Sequence, residues 1–250
     1  MLLTLIKTNA QQVSWMKKET DKYVIYYTGT DKSIVDEINV GVKEGMAQIS
    51  AFFNKPFKSK VHVYIFPDRK SLDKQWQTAW SDTSFQSQCW MVASGVSNRL
   101  DILSPLAWEK SACEHKFSDK TGTKKLIAHE LTHVFHGQYN STKDFTGMDD
   151  LAWLVEGLAT YVSGQLDSSR VKEITTLHEQ NNLPVKLTTI WNGKAKYGQA
   201  GSLVKCVDDT YGRETVIKAL TAITNTEVLS LLKTSEADLL TNWKSSLNKK

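Results

Sequence analysis

The chain has 250 residues, 40% hydrophobic and 23% charged, a globular composition long enough for one large domain or two small ones. Its formal net charge of +4 and pI near 8.8 are a modest basic excess with no long basic block, which argues against a nucleic-acid partner. Cys89, Cys113 and Cys206 stand far apart with no CxxC, so reduced, packed thiols are expected rather than a disulfide framework or a cysteine zinc site.

In chain order, the opening MLLTLI is apolar but has no basic flank. It is too short for a signal-peptide core and far too short to span a bilayer. No membrane span is expected, and the expected location is the cytoplasm, or outside the cell if a leader has been lost. Tyr23 to Tyr27 (YVIYY) is β-branched and aromatic and predicts a short strand. From Asp31 to about Phe53, apolar residues recur at helical spacing: Ile34, Val35, Ile38, Val42, Met46, Ile49 and Phe53. Val61 to Phe66 (VHVYIF) predicts a buried strand stopped by Pro67, in which His62 alternates outward. Cys89 to Ala93 and Leu100 to Leu103 predict two more strands around a turn with Gly95 and Asn98. After Pro105 the pattern is helical: Thr123 to His136, Leu151 to Ser163, Arg170 to about Glu179, Gly198 to Tyr211, Glu214 to Ala222 and a C-terminal segment. Strands first and helices afterwards predict an α+β fold, a small N-terminal mixed sheet with helices packed against it and a mostly helical C-terminal half. One unit over 1–250 is expected, with sub-lobes of roughly 20–137 and 138–250.

The helix over Thr123 to His136 contains HELTH, His129 to His133. Thr121 or Thr123 is a candidate cap at its start and Gly137 a candidate end. Two histidines four apart project from one helix face about one turn apart, so both imidazoles can reach a single zinc ion at ~2.0–2.1 Å. Glu130 sits next to the first histidine, where a carboxylate can take a proton from water without ligating the ion. The bare motif arises by chance on the order of once per hundred chains of this size, so its surroundings matter. Leu126, Ile127, Leu131, Val134 and Phe135 make this helix largely buried. Buried histidines with a glutamate between them are costly without a partner, and a metal supplies one.

A third ligand is sought outside the helix. His136 is about 10.5 Å along the axis from His129, too far for the three rings to converge, and reads as a packed or hydrogen-bonded histidine. Glu156, in DDLAWLVEGLATYVSG, lies in the apolar stripe Leu151, Leu154, Val155, Leu158 and Val162, and Gly157 beside it is expected to let this helix approach the HELTH helix closely. Asp149 and Asp150 are competing ligands, though each also reads as the cap of that helix. Thr160, one turn on, can hydrogen-bond a ligand or simply pack. Two histidines and a glutamate leave a fourth zinc position open, as in catalytic rather than structural sites.

HELTH followed by WLVEGLATY resembles the gluzincin zinc metallopeptidases, and specifically the peptidase MA-like families. VHVYIFPDRKSL and LDILSP look like the sheet before that group's active-site helix, and KYGQAGSLVKCVDDTYG is similar to its tyrosine-containing helix, so the likeness spans most of residues 20–215. The resemblance implies a zincin-like fold and one zinc per chain. It implies His129, His133 and Glu156 as ligands, Glu130 as general base, and Tyr197 as hydrogen-bond donor to the oxyanion, with Tyr139, Tyr161 and His178 as rivals for that last role. It implies a peptide or protein substrate. QCWMVASGVSN lacks the acidic residue with which the aminopeptidase branch holds a free N-terminus, which favours an endopeptidase. The alternative is a peptidase scaffold that binds zinc and a partner peptide without turnover.

Overall fold

The computed structural model describes residues 13–248; the MLLTLI segment lies outside them. A five-stranded mixed sheet forms the N-terminal half, in the order β1-β2-β3-β5-β4. Its strands are β1 (Met16–Glu19), β2 (Tyr23–Tyr27), β3 (Val61–Phe66), β4 (Ala93–Val96) and β5 (Arg99–Leu103). β2, β3 and β5 run parallel, and β1 and β4 close the two edges antiparallel. Parallel neighbours need crossovers, and the chain supplies them as α1 (Val35–Phe53) between β2 and β3 and α2 (Arg69–Ala79) between β3 and β5. The alternation of β3 is visible in its burial: Val61, Val63 and Ile65 are buried, whereas His62 and Tyr64 are half-exposed, with the Tyr26 hydroxyl 3.4 Å from His62 Nδ1.

Helices make up the rest: α3 (Pro105–Ser111), α4 (Lys120–Tyr139), α5 (Ala152–Val162), α6 (Ser168–Glu179), α7 (Lys196–Tyr211), α8 (Arg213–Ala219), α9 (Asn225–Leu232) and α10 (Glu236–Ser246). The fold is therefore α+β, as the segregation of strand and helix signals predicts. None of the described helices is long and apolar enough to cross a membrane. A continuous cluster of buried side chains runs from Tyr23 and Ile25 in the sheet to Leu239 and Trp243 in α10.

Helix α4 is the central element. It packs against α1, α5, β4 and β5, and every residue from Leu126 to Gln138 is buried. Its start is capped by Asp119, whose side chain accepts from the Gly122 N–H at 2.8 Å, not by Thr121 or Thr123. The Thr123 hydroxyl donates back to the Asp119 carbonyl from the first turn. Nor does Gly137 end the helix: it lies inside, where a Cβ would come within 2.5 Å of the Lys143 carbonyl and 2.8 Å of the Ser97 nitrogen. The helix ends at Asn140, whose side-chain amide donates to the carbonyls of Leu220 and Ala222 and ties α4 to the C-terminal helices.

Other expectations also need correction. The strand expected over Cys89 to Ala93 instead occupies Ala93–Val96, so Gly95 is a strand residue and the turn falls at Ser97 and Asn98. Asp149 and Asp150 do not cap α5; they form a 3-10 turn, Asp149–Leu151, that leads into it. The thiols differ most. Cys89 and Cys113 form a disulfide across a separation of 24 residues, and only Cys206 is free and buried, as expected. Cysteine spacing cannot reveal this pair, because the two meet only after β4, β5 and α3 have folded between them.

Closing a loop of that length removes unfolded-state entropy worth about 3 kcal/mol. Replacing Cys89 and Cys113 by serine should lower unfolding stability by about that amount in urea titrations, and reductant should have the same effect on the wild type. Thiol titration of the unfolded, unreduced chain should count one free cysteine; three would show that the bond does not form.

Candidate metal centre

The periodicity of α4 puts His129 and His133 on the face turned toward α5, and burial leaves neither ring exposed by more than a few percent. Their Nε2 atoms point at one another across 3.1 Å. Glu156, on α5, brings Oε2 to 3.3 Å from His129 Nε2 and 3.5 Å from His133 Nε2. Ligands at ~2.0–2.1 Å from a tetrahedral ion stand about 3.3 Å apart, so the three atoms have the spacing of three corners around zinc. The Nδ1 atoms of both histidines are buried with no hydrogen-bond partner among the described residues, which leaves the Nε2 side as the polar side of each ring. Among the described residues this trio is the group of histidine, cysteine and carboxylate side chains suited to hold a metal ion. Asp149 and Asp150 are not part of it.

Gly157, expected to face the HELTH helix, faces α7 instead. A Cβ there would lie 2.5 Å from the Ala200 carbonyl and 2.7 Å from a Val204 methyl, so the absent side chain lets α7 support the back of α5. Thr160, one turn on, packs toward Gly201 of α7, and its buried hydroxyl has no partner among the described residues.

The charges are strongly coupled. Burial pushes the Glu156 carboxyl up, but the two imidazoles outweigh it and hold the group well below the usual carboxylate range. Burial pulls His133 down, and the carboxylates of Glu156 and Glu130 more than reverse this, so its net shift is upward. Glu130 is also buried. Desolvation raises its pKa against the opposing pull of the histidines and of the Gly95 backbone N–H. Gly95 lies so close to the Glu130 backbone carbonyl that no Cβ fits between them, which seats β4 directly on the HELTH turn. No sequence signal announces this contact, since Gly95 reads as a turn residue until the strand is seen.

Tyr197, in the first turn of α7, is the tyrosine at this centre: its ring centroid is 5.9 Å from that of His129. Burial, reinforced by Glu156 and Glu130, pushes its phenol well above the usual tyrosine range, so it stays protonated. Two rivals are engaged elsewhere, Tyr139 donating to the Pro56 carbonyl at 2.7 Å and Tyr161 to Asp208 at 3.0 Å. His178 lies in the last turn of α6.

A protein-family model described as Peptidase_M9, collagenase, matches residues 106–204. That segment is less than half of the chain and contains HELTH, Glu156 and Tyr197. The match supports a zinc metallopeptidase. It also implies zinc for the His129, His133 and Glu156 cluster, and peptides or proteins as the molecules acted on. No curated protein matches the chain.

Glu156→Ala should remove one corner of the trio. Elemental analysis should find about one zinc per wild-type chain and at least a tenfold weaker affinity in the variant; full retention would exclude Glu156 as a ligand. His136 is fully buried, with its ring 5.0 Å from that of Phe145 and no hydrogen bond of normal geometry among the described residues. Burial, with a smaller push from His133, lowers its pKa from 6.5 to about 3. Between those values the unfolded chain binds the proton and the folded one does not, so this stability is present above pH 6.5 and lost as pH falls toward 3. His136→Phe should flatten the loss over that window by roughly a few kcal/mol, read from unfolding midpoints at stepped pH.

Proposed function

We propose that this chain is a zinc endopeptidase of the gluzincin type, acting as one zincin-like catalytic unit over 1–250 with one zinc per chain. The observation that carries the reading is the meeting of His129 Nε2, His133 Nε2 and Glu156 Oε2 at tetrahedral spacing, with the buried carboxyl of Glu130 beside them. When bound, zinc supplies Lewis acidity, which lowers the pKa of water and polarises a carbonyl.

The chain's own residues do the rest. His129, His133 and Glu156 hold the ion. Glu130 takes the proton from the attacking water and passes it to the leaving amine, a role that its place beside the trio fits. Tyr197 donates its phenolic hydrogen to the oxyanion, and the same carboxylates that raise its pKa keep that hydrogen in place at neutral pH. β4 is an edge strand seated against α4 through Gly95, so an extended peptide pairing with its free side would lie along the Glu130 turn. The disulfide Cys89–Cys113 favours an oxidising compartment over the cytoplasmic expectation, since such bonds persist there.

The competing reading, a zinc-loaded scaffold that binds a partner without turnover, has no use for a buried base at Glu130. Glu130→Gln should keep its zinc and lose about 10²-fold or more in hydrolysis of casein or gelatin, and chelator should abolish wild-type activity. Near wild-type hydrolysis by the variant would remove Glu130 from the mechanism. A zinc-loaded wild type that cleaves nothing would favour the scaffold.

A further inference from the structure

Lys196 opens α7 immediately before Tyr197 and is enclosed by rings. Its Nζ lies 4.5 Å from the centroid of Trp191, 5.2 Å from that of Trp90 and 5.4 Å from that of Tyr197. Trp191 packs edge-on against Tyr197 at 4.7 Å, and Tyr197 is the ring that touches His129. The ammonium is thus one ring away from the metal ligands. Among the described residues it has no carboxylate within ion-pair distance, unlike Lys17, Lys18, Lys60, Lys120, Lys124 and Lys205. Ring faces hold a cation by about 0.5–2 kcal/mol, yet offer no oxygen acceptor for its N–H groups. A second cation, Arg170, stands 5.6 Å from the Tyr197 ring. Glu114 also acts on Tyr197, but it is exposed and forms no ion pair with Lys196.

The Trp90 wall is held in place. Arg69 donates to the carbonyls of Gln88, Cys89 and Met91 on one side and of Ser111 on the other, and the Cys89–Cys113 bond joins the two segments. Trp90 remains 40% exposed although its backbone is fixed, three residues before β4 begins. A peptide laid antiparallel along β4 runs from Val96 toward Ala93, so the part C-terminal to its cleaved bond leads toward Trp90 and Lys196.

We propose that Lys196, walled by Trp90 and Trp191, binds a carboxylate of the substrate on the C-terminal side of the cleaved bond. The rings orient the part-buried ammonium and leave its donors free for an anion. An acidic side chain and a free peptide C-terminus offer the same group. This inference rests on the peptidase reading above.

The test is a zinc-loaded digest of a randomised peptide library, made once with free and once with amidated C-termini, with products read by mass spectrometry. The expected result is about tenfold enrichment of cleavage ahead of a carboxylate, in line with a charged hydrogen bond, falling in Lys196→Gln and turning toward lysine-containing peptides in Lys196→Glu. Enrichment for Asp and Glu in both libraries identifies the side chain; enrichment near the C-terminus that amidation abolishes identifies the terminal carboxylate. Cleavage with no acidic preference, or a preference unchanged in both variants, overturns the inference and leaves the peptidase intact. No cleavage at all overturns the peptidase reading and this inference with it. Tryptophan-fluorescence titration of zinc-loaded Glu130→Gln with a Glu-containing peptide and its Gln counterpart gives the binding readout independently of turnover. Equal affinities there also overturn the inference.

Discussion

Two buried imidazoles, the buried carboxyl of Glu130 and the part-buried carboxyl of Glu156, gathered on one helix turn and its neighbour, are the constraint around which this molecule is arranged. Taking such groups out of water costs several kcal/mol each unless they find charge partners. The cost shows in the opposed shifts of the site: the imidazoles drive Glu156 down, the carboxylates drive His133 up, and burial drives Glu130 up against the pull of the histidines. The three separations of 3.1 to 3.5 Å are too many short contacts for one shared proton to satisfy, but they are the separations a dication requires.

Holding these groups in register explains much of the surrounding packing. α4 is buried over the motif, so its rings cannot turn to solvent. Bare backbone at Gly95 and Gly157 brings β4 onto the front of the motif and α7 onto the back of the third-ligand helix. Gln138 accepts from the Lys58 and Ser59 N–H groups, and Asn140 donates to Leu220 and Ala222, so the end of α4 is anchored to both halves of the chain. By contrast, the surface pairs Lys120–Glu37 and Lys124–Glu44 between α4 and α1 are exposed and contribute little.

One side of the centre is rigid for a different reason. Arg69 and the disulfide gather two segments around Trp90, which lies beside Lys196. Loops positioned by a rigid scaffold are where proteins place residues that meet a ligand. Hydrogen bonds from Arg69 to several carbonyls do here what a strand ladder would do elsewhere.

Wherever a local period dominates, sequence alone determined the outcome. The bounds of β2 and β3, the long α1, and the HELTH and Glu156 helices all follow from patterns of two or 3.6 residues, and the resemblance named the trio that the fold brings together. Short or polar elements were not legible: β1 (MKKE) is a strand only because β2 offers it a ladder, and α2 buries just Leu72 and Trp76 in an otherwise polar run. Caps were misread at Thr121, Gly137 and Asp149, because several residues of the right type compete and only the local hydrogen bonds choose. The disulfide, the contact of Gly95 with Glu130 and the rings around Lys196 were left to tertiary structure. Each joins residues far apart in the chain through backbone or side-chain approach, and such approach leaves no periodic trace in a single sequence.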